Sequence, residues 1–187
     1  MINFSKSQKF YLIIKRINAI LFSLLFIVVL SPIFIISLIV TLFDSKGHPF
    51  FVQERYGYKR QIFKIYKFTS MKDNKTSAWG RFIRFTSIDE LPQLVNILKG
   101  DMTLIGPRPL SILESDIDEL RKSDVYSAYN VKPGLTGYAQ INYKKSNSIE
   151  VKAHYDSYYI EHFSMWLDIK ILFLTVVKIV PINIHRK

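Results

Sequence analysis

Two adjacent carboxylates, Asp89 and Glu90, stand in the run Ser87-Ile88-Asp89-Glu90-Leu91-Pro92-Gln93-Leu94, and an arginine framed by prolines follows in Gly106-Pro107-Arg108-Pro109. A carboxylate pair beside a rigidly presented guanidinium suits phosphoryl chemistry on a charged substrate. One acid can attack phosphorus, the other can hold a divalent metal, and Arg108 can neutralise phosphate oxygens. The acids also have a plainer reading. Asp89 is a good helix N-cap, Glu90 suits a first turn, and Ser87-x-x-Glu90 matches a capping box. The same helix N-terminus attracts phosphate through its free N–H groups, so two acids there need a metal or a cationic cluster to bind an anionic substrate. Arg81 and Arg84, three residues apart in Gly80-Arg81-Phe82-Ile83-Arg84, can supply cations from one helical face or form only a solvated basic stripe. Lys67, in the alternating Lys64-Ile65-Tyr66-Lys67, can reach a phosphate or merely protect an edge strand. Arg108 is the cation with most reason to be functional, because the flanking prolines fix its backbone.

Something must hold these groups together. Glu90–Lys99 reads as an amphipathic helix with Leu91, Leu94, Val95 and Leu98 at helical spacing and Gly100 as its stop; Pro92 falls in the first turn, where its missing N–H has no partner to lose. Phe50–Gln53 and Gln61–Tyr66 read as short strands of a hairpin around Gly57. Ser111–Tyr129 is polar with helical spacing at Leu113, Ile117 and Leu120, Pro133-Gly134-Leu135-Thr136-Gly137 is a turn, and Tyr138–Ile141 reads as a short strand. A polar loop over 144–148 leads to a helix from Ile149 to His162. The apolar Asp168–Val180 is too short to span a bilayer and is either a core helix or an interfacial one with snorkelling lysines.

The chain has 26 Lys+Arg against 15 Asp+Glu, a formal net charge of +11, and 49% hydrophobic residues. Charge and hydropathy are segregated, which favours an anionic membrane surface over nucleic acid as the partner; no nucleic-acid recognition motif accompanies the charge. Without cysteine there is no disulfide and no thiolate site. His48, His154, His162 and His185 lack ligand spacing, and there is no P-loop or G-x-G-x-x-G. From Ile17 to Phe43 no residue is charged, a length sufficient to cross a bilayer. Ser31-Pro32 in its middle predicts a break, since proline removes a donor and serine can bond freed carbonyls. Both flanks are basic, with Lys15 and Arg16 before and Lys46 and Arg55 after, so entry and exit on one face satisfy the preference of basic residues for the cytoplasmic side.

In order along the chain, the Ser31-Pro32 segment, Gln53-Glu54-Arg55-Tyr56-Gly57, Phe63 to Met71, Ser87 to Leu94, Lys99 to Pro109, Lys132 to Gln140 and Trp166-Leu167-Asp168-Ile169-Lys170 resemble the bacterial sugar transferases, the monotopic phosphoglycosyl transferases, in their small form. The resemblance implies an α+β, mostly helical monotopic membrane enzyme with a small β-hairpin or sheet. Residues 1–44 would form a re-entrant helix broken at Ser31-Pro32, and residues 45–187 a cytoplasmic catalytic domain with interfacial helices. It implies that Asp89 attacks the β-phosphorus of a UDP-sugar, releasing UMP, and that undecaprenyl phosphate then takes the phosphosugar. Glu90 would bind Mg²⁺, and Arg108, Lys67 and Arg84 would hold phosphate oxygens. The enzyme would work at the cytoplasmic face of a bacterial inner membrane in surface-glycan synthesis. The sequence departs from the family pattern at Thr69, at Tyr143 and Lys144, and near Lys75, all positions bearing on nucleotide or sugar contacts. Two alternatives stand beside this reading: a glycosyltransferase that releases UDP, and a non-catalytic membrane-bound assembly protein. The sugar is open, as is oligomeric state, where a homodimer would suit a small membrane enzyme.

Overall fold

The charge-free run is helical except at a single residue. A computed structural model describes residues 4–72, 75–123, 127–142 and 148–179. It places α1 at Lys6–Val29 and α2 at Ser31–Asp44, with Leu30 between them. Pro32 cannot donate to the Val28 carbonyl four residues back, and the Ser31 hydroxyl takes that acceptor at 2.7 Å. α1 is long and apolar enough to cross a membrane, and little of it is buried. Its polar start is nonetheless tied to the rest of the chain. Arg16 donates to the carbonyls of Ile97 and Leu98, while Tyr11 and Lys15 reach Asp168 at 2.6 and 2.8 Å. The far end of α2 is held as well, by Trp79 Nε1 to Thr41 Oγ1 at 2.9 Å and Ser77 Oγ to Asp44 at 2.7 Å.

The rest is a mostly helical α+β arrangement with two small sheets. β1 (Phe50–Tyr56) pairs antiparallel with β2 (Ile62–Phe68), and β4 (Leu110–Ser111) joins the other edge of β1. The hairpin is longer than the alternation suggested. Its turn runs from Gly57, whose amide bonds Gln61 O at 2.8 Å, through Lys59 and Arg60, both at positive φ. Arg60 is held there by Asp118 at 2.6 Å and by the face of Tyr56. α3 (Ala78–Phe85) and α4 (Gln93–Lys99) lead to β3 (Thr103–Ile105), which pairs in parallel with β5 (Gly134–Thr136). α5 (Ser115–Ser123), α6 (Tyr138–Asn142), α7 (Ile149–His162) and α8 (Met165–Ile179) complete the order.

The strand expected at Tyr138–Ile141 is helix α6, and the strand lies just before it. An apolar run of this length fits a buried helix turn as well as a strand. The glycines decide the outcome. A Cβ on Gly134 would fall 2.1 Å from the Gly106 nitrogen and one on Gly137 2.0 Å from the Gly106 oxygen. β5 can therefore lie directly on the start of the Gly106–Pro109 loop before the chain turns into α6. The expected loop over 144–148 lies outside the described residues except for Ser148. Ile97, Met102, Tyr159, Ile160 and Ile171 centre a core shared by α4, α7 and α8, and Ala19 of α1 is buried in it.

Candidate active site

Three elements bring the carboxylates to their cations. β2 is an edge strand that ends with Lys67 near its tip. The fully buried Asn96 of α4 fixes the distance between that strand and the acids. Its Nδ2 donates to Lys64 O at 2.7 Å and its Oδ1 accepts from Tyr66 N at 3.1 Å, so α4 is stitched to the edge of β2. Between α3 and α4, Ser87 takes φ 59 and turns the chain into a single 3₁₀ turn, Ile88–Glu90. A left-handed backbone at a non-glycine residue is a local strain of the kind that accumulates at functional sites.

The expected capping arrangement does not form. Ser87 makes no side-chain cap bond, the helix begins at Gln93, and Pro92 is its N-cap rather than a first-turn residue. The amides of Glu90 and Leu91 bond the carbonyls of Ser87 and Ile88, each at 3.1 Å, so they are not free to face a phosphate. The positive environment of the two acids comes from side chains instead.

Asp89 and Glu90 have opposite surroundings. Lys67 Nζ lies 2.7 Å from Glu90 Oε1, and Arg108 Nη2 lies 3.6 Å from the same oxygen. Burial works to raise Glu90, but Arg108 and Lys67 outweigh it and hold the carboxyl below its usual range. Asp89 is 8% exposed, and among the described residues no side chain donates a hydrogen bond to it. Burial, reinforced by the Glu90 charge, pushes Asp89 up to about 6 against the pull of Lys67, Arg84 and Arg108. The pair thus holds one carboxylate fixed in ionised form and one desolvated carboxylate with unoccupied lone pairs, the state that favours attack on an electrophile.

Arg108 is presented by more than its prolines. Gly106 N donates to Thr136 O at 2.8 Å and Gly134 N to Pro107 O at 2.9 Å, fastening the loop to β5. Two further guanidiniums hold its carbonyls: Arg55 Nη1 donates to Pro109 O at 3.2 Å, and Arg121 Nη1 to Arg108 O at 3.0 Å. Arg121 is itself buried and paired with Asp156 of α7. None of these supports was legible as such. Arg55 read as a flanking positive charge, and Arg121 and Asp156 are 35 residues apart with no local pattern to join them.

A cavity of about 540 Å³ lies beside the acids, with Arg84, Ser87, Glu90, Arg108 and Gln140 on its polar side and Phe26, Leu30, Leu172 and Val176 among its apolar residues. Asp89 is not among the lining residues. Arg81 is not either; it is exposed and donates to Thr76 O at 3.1 Å, on its own helix's approach. The Ser31-Pro32 break is adjacent, facing Leu91, Leu94 and Val95 across a smaller apolar gap. Among the described residues no group of three His, Cys, Asp or Glu side chains gathers as a metal cage. Of the positions that depart from the family pattern, Thr69 donates its amide to Pro49 O at 2.9 Å and Lys75 exchanges backbone bonds with Lys72, while Tyr143 and Lys144 lie outside the described residues.

The chain belongs to the bacterial sugar transferase family, whose model matches residues 10–181. It is 38% identical over 180 residues to the uncharacterized sugar transferase EpsL of Bacillus subtilis (strain 168), covering 90% of this chain and 88% of that one. It is 36% identical over 186 residues to the UDP-glucose:undecaprenyl-phosphate glucose-1-phosphate transferase of Klebsiella pneumoniae, covering 89% of this chain and 40% of the relative. With the UDP-N-acetylgalactosamine-undecaprenyl-phosphate N-acetylgalactosaminephosphotransferase of Aeromonas hydrophila it shares 35% over 185 residues, 89% of this chain and 43% of the other. The chain therefore spans about two fifths of the length of these longer relatives.

Proposed function

We propose that this chain transfers a sugar 1-phosphate from a UDP-sugar to undecaprenyl phosphate, giving undecaprenyl-diphosphate-sugar and UMP. The observation that carries the reading is the unpartnered, desolvated Asp89 beside a Glu90 held ionised by Lys67 and Arg108. Asp89 attacks the β-phosphorus, the bond from that phosphorus to the bridging oxygen breaks, and UMP leaves. The aspartyl phosphosugar is an acyl phosphate. A phosphate oxygen of the lipid then attacks the same phosphorus and Asp89 departs as a carboxylate. One difficult displacement becomes two easier ones. Arg108, with Arg84 and Lys67, neutralises oxygens of the transferring group.

Glu90 fits a Mg²⁺ site of the kind completed by substrate phosphates, because both of its ion-pair contacts fall on Oε1 and Oε2 remains for a metal. The ion would supply charge neutralisation at the pyrophosphate.

α1 and α2 are read as a re-entrant membrane element. Support comes from the basic residues at both ends and from the attachment of both polar ends, Tyr11 to Arg16 and Thr41 to Asp44, to the same domain. On this reading the acids lie at the cytoplasmic face of a bacterial inner membrane, where a lipid phosphate emerges. The product would begin a surface glycan such as a capsule, O-antigen, exopolysaccharide or glycoprotein glycan. The test is nucleotide release by purified protein with Mg²⁺, undecaprenyl phosphate and UDP-glucose, UDP-galactose and UDP-N-acetylhexosamines. UMP release with one donor, abolished in Asp89→Asn, is expected. UDP release would instead favour direct glycosyl transfer, and function that survives Asp89→Asn would favour a non-catalytic role.

A further inference from the structure

Gln140 is a buried amide with no assigned work. It sits in the middle of α6 and contributes to the same cavity as Glu90, Arg84 and Arg108. Its Oε1 and Nε2 are both buried, and neither has a hydrogen-bond partner among the described residues. A carboxamide left wholly unpaired in a protein interior destabilises the fold, whereas one completed by a ligand discriminates strongly between ligands. The fold also makes room for it. A Cβ on Gly137 would fall 2.7 Å from Gln140 Oε1 and 2.0 Å from Gly106 O, so this glycine lets the amide lie against the start of the loop that presents Arg108.

The neighbouring surface indicates what kind of ligand group would meet it. The hydroxyl of Thr136 is already engaged with Thr175 at 2.8 Å, and Thr175 donates to Ile171 O at 2.7 Å. Leu135, Ile141, Leu172 and Val176 add apolar surface to the same lining. A sugar ring presents hydroxyls around its whole rim and needs several polar partners. A pyrimidine presents two apolar faces and one polar edge. A carboxamide offers an acceptor and a donor side by side, the complement of the N3–H and adjacent carbonyl of uracil. We propose that Gln140 reads the uracil edge of the nucleotide donor, with the diphosphate directed toward Arg84, Arg108 and Glu90. This rests on the reading of a UDP-sugar as donor and adds to it the residue that selects the base.

The experiment is direct binding of UMP, N3-methyl-UMP and CMP to the full chain in detergent or nanodiscs, for wild type, Gln140→Leu and Gln140→Glu. Wild type should bind UMP at least ~10-fold more tightly than N3-methyl-UMP, the loss of one paired hydrogen bond, and Gln140→Leu should erase that difference. Gln140→Glu should raise the CMP-to-UMP affinity ratio, because a carboxylate accepts from the cytosine amine; this variant carries the test if Gln140→Leu does not fold. Equal binding of UMP and N3-methyl-UMP by wild type, or discrimination that persists in Gln140→Leu, overturns the proposal. So does a changed ranking among UDP-sugars in Gln140→Leu with base discrimination intact, which would assign the amide to the sugar. Wild-type protein that releases UMP in turnover but ignores the base refutes only this inference. Protein that neither binds UMP nor releases it refutes the donor reading as well.

Discussion

Two lysine–carboxylate groups in this molecule have been put to different uses. At the foot of α1, Lys15 pairs with Asp168 at 2.8 Å, and Tyr11 and Tyr159 each donate to Asp168 at 2.6 Å, so both oxygens of the acid are occupied and nearly nothing is exposed. At the candidate-site turn, Lys67 pairs with Glu90 at a similar 2.7 Å, but the neighbouring Asp89 is buried with no side-chain donor among the described residues. A completed buried network contributes rigidity; an incomplete one keeps a reactive group at a cost in stability. The first joins the long apolar helix α1 to α7 and α8. The second leaves a buried carboxylate available to the substrate phosphorus of the proposed reaction.

The contrast can be broken by removing one acid from each group. Asp89→Asn should reduce UMP release by at least ~10³-fold, since it removes the proposed nucleophile. Asp168→Asn should leave the Lys15 ammonium buried without its counter-charge and lower unfolding stability by about 3 kcal/mol, with activity falling only as far as folded protein is lost. Denaturation in detergent, run beside the turnover assay, separates the two. Should Asp168→Asn abolish turnover in fully folded protein, the anchor would be part of the chemistry.

The sharper form of the comparison is one of sign. With Asp89 near 6 when folded and 3.8 when unfolded, the native state binds the extra proton between those values. Its contribution to stability is therefore fully present below about 4 and is lost as pH rises through about 6. Above that pH, Asp89→Asn should stabilise the substrate-free protein by up to ~3 kcal/mol, the opposite of Asp168→Asn. A melting curve of Asp89→Asn lower than wild type at pH 7.5 would contradict this. The same ionisation should appear in catalysis, with kcat/KM rising through pH 6 to a plateau because only the carboxylate attacks. The smallest effect is expected from Lys67→Met. It should lower kcat/KM for the donor roughly 10-fold while Arg108 still faces Glu90.

Much of the candidate site was legible because its signals are local. Asp89, Glu90 and Arg108 stand in short patterned runs, Gly100 ends α4 with a left-handed cap, and Ser31-Pro32 marks the point where the apolar helix is interrupted. The parts that escaped depend on distant partners. Asn96 carried no signal in the sequence, yet it is the stitch to β2. Lys15 and Asp168 are separated by most of the chain; Lys15 read as a flanking charge, and nothing in the sequence joined it to Asp168. Tyr138–Ile141 was misread because a four-residue run is too short to show a period, and the strand of this region lies just before it at Gly134–Thr136. Asp89 stood out by residue type, but its burial and the left-handed turn at Ser87 beside it were announced by no capping pattern.

The central claim is that Asp89 becomes covalently phosphorylated by the donor, and a single-turnover experiment without lipid acceptor tests it most directly. Mixing the protein with Mg²⁺ and its UDP-sugar should release UMP in a burst no larger than the enzyme concentration. Intact mass should rise by one phosphosugar, mapped to the peptide containing Asp89, and undecaprenyl phosphate should discharge it. UMP released only when the lipid is present, with no adduct at any time, would contradict the covalent account.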